Sequence, residues 1–274
     1  MTSEIAATAG TESCAPVTLS VIAPCLNEEG NVGALVERTL ATFDALAIRA
    51  ELVIVDDGST DATWARVTEE IERDPRVRGV RLTSNGGIEN AWRVGFNHCD
   101  GHLVCLIDAD LQNRPEDIAK LYKTYLREVP DVVQAVRHPT RDVRRCRLFS
   151  RGLNIILNLT FKTRLRDNKS GFILTRRDAL ATILRHRFTY RYYQSFIGVA
   201  ACARGLRIAE VDTDFDQRNA GRSFLSRFPI LVSLRIVWEL CKFRVEVARA
   251  AAPAPAESRW SHRPLVADPT RGKA

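Results

Sequence analysis

Five short, largely apolar runs recur along the chain, at 19–23, 52–55, 77–82, 103–107 and 132–136. Segments of helical periodicity separate the first four, at 32–46, 62–71 and 88–96, and another at 115–126 precedes the fifth. A half-exposed strand alternates apolar and polar residues, whereas a strand apolar throughout needs cover on both faces. Strands of that kind alternating with helices predict an α/β architecture, a mainly parallel sheet with helices on both sides. Ligands of such open sheets bind beyond the carboxyl ends of the strands. The loops that follow each run are therefore where chemistry is expected.

After about Arg137 the rhythm changes. A basic stretch (Arg137, Arg141, Arg144, Arg145, Arg147, Arg151) leads into an apolar helix near 153–161 and a polar turn at 166–171. A short strand at 172–175, two helices and a strand at 206–211 follow. Residues 1–16 read as a flexible tail, 17–224 as one domain, 225–249 as an amphipathic helical segment and 250–274, rich in Ala, Pro and Arg, as a disordered tail. The amphipathic stretch carries Trp238 among Arg227, Arg235, Lys242 and Arg244; it suits either a membrane surface or packing on the domain. With 274 residues, 45% of them hydrophobic, the chain can bury one sizeable core.

The net charge of +7 suits phosphates, nucleic acid or an anionic membrane surface without choosing among them. Nucleic-acid binding calls for aromatic residues interleaved with Lys and Arg; aromatics make up only 7% of the chain, and acidic strand ends oppose a polyanion there. Seven cysteines lie scattered without a CxxC pair, mostly in apolar runs, as small buried hydrophobes of a reducing cytosol do. No run approaches the roughly 18 to 20 apolar residues that span a bilayer, and no signal peptide is evident.

The strongest chemical element is Asp108-Ala109-Asp110, at the end of the fourth run. Two carboxylates one residue apart can share a divalent cation, which takes oxygen ligands and keeps waters and substrate phosphates. Gln112 can add a carbonyl oxygen. Alone, such a pair serves equally well as a loop cap. It is not alone: the first run ends in Pro24-Cys25-Leu26-Asn27-Glu28-Glu29 and the second in Asp56-Asp57-Gly58-Ser59-Thr60-Asp61. Carboxylates at the second strand end suit hydrogen bonds to a ribose or a base edge, while Gly58 permits a tight turn. After the third run, Asn85-Gly86-Gly87 with Ala91 and Gly95 lets a helix approach the sheet or a diphosphate closely. Neither a GxGxxG sequence nor a Walker loop is present.

Taken in order, these motifs resemble glycosyltransferase family 2, with the GT-A fold, and within it the dolichol-phosphate mannosyltransferase and bacterial polyprenol-phosphate glycosyltransferase branch. The matched elements are PxLNEE at 24–29, VDDGSTD at 55–61, NxG at 85–87, DADLQxxPE at 108–116, a DxxSGF-like turn at 167–172 and RxxGxS at 218–223. The resemblance implies an inverting, metal-dependent transferase that takes a sugar from a nucleotide-diphosphate donor. Pro24, Asn27, Glu28, Asp56, Asp57, Asn85, Asp108 and Ala109 would line the donor pocket. Asp108, Asp110 and Gln112 would hold Mg²⁺ or Mn²⁺. Arg137 and Arg218 would face the acceptor or the phosphates; Ser170, Gly171 and Ser223 would shape the acceptor side. Asp110, Asp167, Arg137 and Arg218 are the implied catalytic set.

The acceptor decides whether a base is needed. A phosphate monoester, with a second pKa of about 6, is already an anion at neutral pH; a hydroxyl requires a carboxylate to take its proton, and Asp167 is the candidate. Polyprenyl phosphate is the expected acceptor, reached from the cytoplasm with peripheral contact at the cytosolic membrane face. The alternative is a hydroxyl acceptor in cell-surface glycan or secondary-metabolite assembly. Three departures bear on that choice: Ile173 where this branch commonly carries Arg, Phe224 where it carries Lys, and Asn113 where it carries Asp.

Overall fold

The computed structural model describes residues 17–139, 144–168, 170–186, 190, 193–216 and 238–246. Its first half alternates as expected: β1 (Leu19–Cys25), α1 (Val32–Leu46), β2 (Ala50–Asp56), α2 (Thr63–Arg73), β3 (Val77–Arg81), α3 (Ile88–Asn97) and β4 (Leu103–Leu106). A short 3-10 turn (Pro115–Asp117) opens α4 (Ile118–Glu128), and β5 (Val132–Pro139) follows. Next come α5 (Arg144–Phe161), β6 (Ile173–Arg176), α6 (Arg177–Leu184), a 3-10 turn (Tyr193–Phe196), α7 (Ile197–Ala203) and β7 (Ile208–Phe215). Residues 238–246 are helical. The expected tails, 1–16 and 250–274, lie outside the described residues, as do Arg141, Arg218, Ser223 and most of the 225–249 segment.

All the strands join one seven-stranded sheet in the order β3-β2-β1-β4-β6-β5-β7. Side chains alternate across a strand, and in the central strands β1, β2 and β4 both sides are buried. Ile22, Val53, Val55, Val104, Leu106 and Ile173 face one core with Trp92 of α3, Leu180 and Ile183 of α6, and Val199 of α7. Leu19, Val21, Leu52, Ile54, Cys105 and Leu174 face the other, with Leu35 of α1, Val67 of α2 and Leu121 of α4. At roughly 1.5–3 kcal/mol for each fully buried aliphatic side chain, this double cover explains why the runs show no polar alternation.

The sheet is mainly parallel, as expected, with one strand reversed. β6 runs antiparallel to both β4 and β5, so the sheet is mixed. α5 and the loop after it bring the chain back to the edge at which β5 ended, and β6 must start there and run the other way. β5 and β7, paired in parallel, therefore point the same way as β4. The carboxyl ends of β1 to β5 and β7, together with the amino end of β6, share one edge.

α3 lies close on the sheet, as its small residues suggest. A methyl group added at Gly95 would run into Ile22 and lie 3.2 Å from Val55 Cγ2. Gly95→Ala is accordingly expected to cost about 1–3 kcal/mol through overpacking, despite the helix propensity of about 1 kcal/mol that alanine gains over glycine. Urea unfolding measures this, and an unchanged midpoint would show that α3 can retreat from the sheet.

Candidate active site

The loops after β1 and β2 are built on each other. Asn27 adopts a left-handed backbone (φ 55°), a conformation asparagine tolerates better than most residues. Its backbone N–H donates to Ser59 Oγ at 2.9 Å, and its side-chain oxygen accepts from the Thr60 N–H at 2.9 Å. The Glu28 N–H donates to Thr63 Oγ1 at 2.8 Å, and a Glu28 carboxylate oxygen accepts from Asn31 Nδ2 at 2.6 Å. Pro24 sits opposite Val55 in the β1–β2 register. Burial raises the pKa of the Cys25 thiol, helped by the surrounding carboxylates of Glu28, Asp56 and Asp61, which shows those three to be grouped around the end of β1. Cys25, Cys99 and Cys105 are buried free thiols.

Asp56 is fully buried. One carboxylate oxygen accepts from the Ser59 N–H at 2.9 Å. The other has no hydrogen-bond partner among the described residues, with Arg81 Nε 3.3 Å away.

The neighbouring Asp57 works on the protein itself. Its two oxygens accept from the N–H groups of Gly86 (2.7 Å) and Gly87 (2.9 Å), and so tie down the loop after β3. Burial raises its pKa, against the opposing effect of those two N–H groups. Asn85 Oδ1 also accepts from the Gly87 N–H, at 3.0 Å. A Cβ at Gly58 would lie 2.7 Å from the Ser84 carbonyl carbon, so this loop and the β2 turn are in backbone contact. Asp57→Ala strands the Gly86 N–H and leaves that of Gly87 to Asn85 alone, and is expected to cost about 2 kcal/mol in thermal unfolding. A shift below half of that would show the loop to be held by other contacts.

Asp108 and Asp110 follow β4 on the opposite side of β1 from Asp56, with Ala109 buried between them. Leu111, next in line, takes a left-handed backbone (φ 60°), which costs a branched side chain about 1–2 kcal/mol and is held by its burial in the core. This turn lets Asp110 Oδ1 accept from the Gln112 N–H at 3.1 Å. Gln112 is joined to the end of β7: its backbone oxygen accepts from the Asp216 N–H at 2.9 Å, and its Nε2 donates to the Asp216 oxygen at 3.4 Å. Asn113 bridges to Phe215. Arg114 makes a two-pronged pair with Asp216 (2.6 and 2.7 Å), holding that carboxyl below its usual range.

Arg137, near the end of β5, makes a two-pronged ion pair with Asp167 at 2.7 and 3.1 Å and lies over the Phe215 ring at 5.2 Å. Burial works to lower its pKa, but the charges of Asp167, then Asp108 and Asp110, outweigh it and raise the net value. The charges of all three carboxylates thus act on one guanidinium. Asp167 belongs to a loop held by α5, where Asn154 and Asn158 donate to the Leu165 carbonyl at 3.0 and 2.9 Å and Asn154 accepts from the Asn168 N–H at 2.9 Å. Ser170 is fully buried, its hydroxyl has no partner among the described residues, and its carbonyl accepts from Gln134 Nε2 at 3.0 Å. Gln194, which no motif marked, reaches into the same place, with Nε2 2.9 and 3.1 Å from the two carboxylate oxygens of Asp108.

Among the described residues no group of three or more His, Cys, Asp or Glu side chains is arranged to cage a metal ion. What the cleft offers is the Asp108–Asp110 pair, an all-oxygen donor set. That fits a hard divalent cation bound through one or two carboxylates, with waters and phosphates completing its shell.

A doubly covered, mainly parallel sheet with acidic turns gathered at one edge defines an open α/β fold of the kind that binds ligands beyond its strand ends. The family model described as Glycosyl transferase family 2 matches residues 20–184, more than half of the chain. The chain belongs to that family. It is 30% identical over 224 residues to the undecaprenyl-phosphate 4-deoxy-4-formamido-L-arabinose transferase of Edwardsiella ictaluri, covering 81% of this chain and 66% of that protein. With the protein of the same name from Shewanella sediminis it shares 32% over 207 residues, 75% of this chain and 61% of that one. The chain thus spans just under two thirds of these relatives' length. Among solved structures, it is similar to glucosyl-3-phosphoglycerate synthase from Mycobacterium tuberculosis in complex with Mn²⁺, uridine diphosphate and glucosyl-3-phosphoglycerate. The TM-score is 0.62 at 22% identity, over 87% of this chain and 81% of that one. The GT-A fold expected from the motifs is the fold found.

Proposed function

We propose that this chain is an inverting glycosyltransferase that moves a sugar from a nucleoside-diphosphate donor onto polyprenyl phosphate. The observation that carries the acceptor assignment is the Arg137–Asp167 ion pair. A hydroxyl acceptor needs a carboxylate to take its proton, and the candidate for that work has both of its oxygens engaged by the Arg137 guanidinium, at 2.7 and 3.1 Å. A phosphate acceptor arrives ionised and needs no base. The names of the 30–32% identical relatives, undecaprenyl-phosphate transferases, point the same way.

On this reading Asp56, at the end of β2, lines the nucleoside pocket, and Asn27 and Glu28 shape the pocket around it. Asp57 and Asn85 fix the neighbouring loop. Asp108 and Asp110, with Gln112 beside them, hold Mg²⁺ or Mn²⁺, which supplies Lewis-acid neutralisation of the diphosphate leaving group. Arg137 adds a fixed positive charge near the departing or attacking phosphate. The structural neighbour's Mn²⁺ and uridine diphosphate support such a donor site.

Contact with a lipid surface is supported by α5. Its inner face holds the Asp167 loop, while Ile155 (58% exposed), Ile156 and Leu159 (75% exposed) are turned to solvent. Trp238 is exposed on the 238–246 helix, beneath the ammonium of Lys242 at 3.5 Å. No helix among the described residues is long and apolar enough to cross a membrane.

A hydroxyl acceptor keeps one observation in its favour: Ile173, where this branch commonly carries Arg, is buried in the core and brings no charge to the site. The two readings separate in one assay. Purified protein, Mn²⁺ and individual nucleotide sugars are incubated with undecaprenyl phosphate or with undecaprenol. Product from the phosphate alone is expected; equal turnover of the free alcohol would refute the acceptor assignment.

A further inference from the structure

Gln194 lies 86 residues from Asp108 in the chain and in no motif, yet its Nε2 stands within hydrogen-bond distance of both Asp108 carboxylate oxygens, at 2.9 and 3.1 Å. It reaches them by passing over Gly171. A Cβ there would lie 2.7 Å from Gln194 Cγ and 2.8 Å from its Nε2, so the amide and any side chain at 171 exclude each other. The backbone beneath is itself fixed, because Gln134 Nε2 donates to the Ser170 carbonyl at 3.0 Å. Gln134 in turn leaves room only for glycine at 198, where a Cβ would lie 2.6 Å from its Oε1. One continuous set of contacts thus runs from β5 through Ser170 and Gly171 to Gln194 and ends on Asp108.

We propose that Gln194 is the positioning residue of Asp108, and that the missing side chain at Gly171 is the condition for its reach. The inference rests on the reading of Asp108 as a residue that holds the divalent cation. A lysine or arginine at 194 would compete with the cation for the carboxylate's charge. A neutral amide orients the carboxylate and leaves its charge in place, the role that partners outside the coordination shell play at metal sites. The short turn before α7 is thereby coupled to the cation, although none of its residues needs to touch it.

The test is Mn²⁺ binding to the full chain, titrated with the ion alone and followed by the electron paramagnetic resonance signal of free Mn²⁺. Gln194→Ala is expected to weaken Mn²⁺ about ten-fold or more. Its unfolding midpoint should be unchanged, and its kcat should return towards wild type at saturating Mn²⁺. Gly171→Ala should produce the same weakening without touching Asp108, and the double variant should bind no more weakly than either single one, because both remove the same contact. Unchanged affinity in Gln194→Ala, or additive losses in the double variant, would overturn the proposal. Asp108→Ala separates it from the reading beneath: if that variant loses Mn²⁺ while Gln194→Ala does not, only the positioning role falls. If Asp108→Ala binds Mn²⁺ like wild type, the cation site itself falls.

Discussion

Asp110→Ala is expected to lose about a thousand-fold or more in turnover, together with metal-dependent binding of the sugar nucleotide. The size follows from what the residue offers. Cleaving the donor leaves a diphosphate whose charge must be met as it develops, and Asp108 and Asp110 are the carboxylates that follow β4 at the cleft. With one of them gone, a cation that draws only one or two ligands from protein has little to hold it. The fold does not depend on Asp110, which is partly exposed and spends one oxygen on the Gln112 N–H at 3.1 Å. The unfolding midpoint should therefore stay within about 1 kcal/mol of wild type. Donor binding measured with and without Mn²⁺ checks the point, and equal metal dependence in the variant would refute the assigned site.

The second large effect belongs to Arg137. Its side chain is 23% exposed and that of Asp167 12%, so the pair is shielded from water. Arg137→Ala leaves Asp167 charged and without its two-pronged partner, which should cost about 3 kcal/mol of stability. The variant should also lose about a hundred- to a thousand-fold in kcat/KM, because the guanidinium acted on by Asp108 and Asp110 is removed from the cleft. Adding Asp167→Asn separates the two losses: stability should recover, since no buried charge is stranded, while activity should not. Full activity in the double variant would show that Arg137 serves only to neutralise Asp167. Arg137→Lys should fall between, since it keeps the charge and gives up the fork.

Most of the donor half was legible because its strands are buried on both faces and its helices on one. Those two periods differ, so β1 to β4 and α1 to α3 separate cleanly along the chain. Gly95 and Ala91 announced the close approach of α3 for the same reason, since only small residues fit there. The direction of β6 was not legible: a strand between two others is apolar throughout whichever way it runs. The role of Gln194 was hidden because its partner is far away in the chain and its turn carries no pattern. Asp57 was readable as a strand-end carboxylate but not as an anchor for Gly86 and Gly87, because the register that brings those loops together appears only in three dimensions. Arg218 and Ser223 lie outside the described residues and remain expectations from the motif.

The reversed strand gives the two sides of the cleft different freedom to change. On the donor side, every loop at the cleft leaves a strand and must deliver the next helix to its place against the sheet. The stretch before β6 has only to deliver a short strand between two waiting neighbours, and it starts from the end of a helix already seated. Lengthening or shortening it re-cuts the rim around Asp167 and Ser170 while β1, β2 and β4 keep their register, so the proposed acceptor side can change shape without disturbing the proposed donor side.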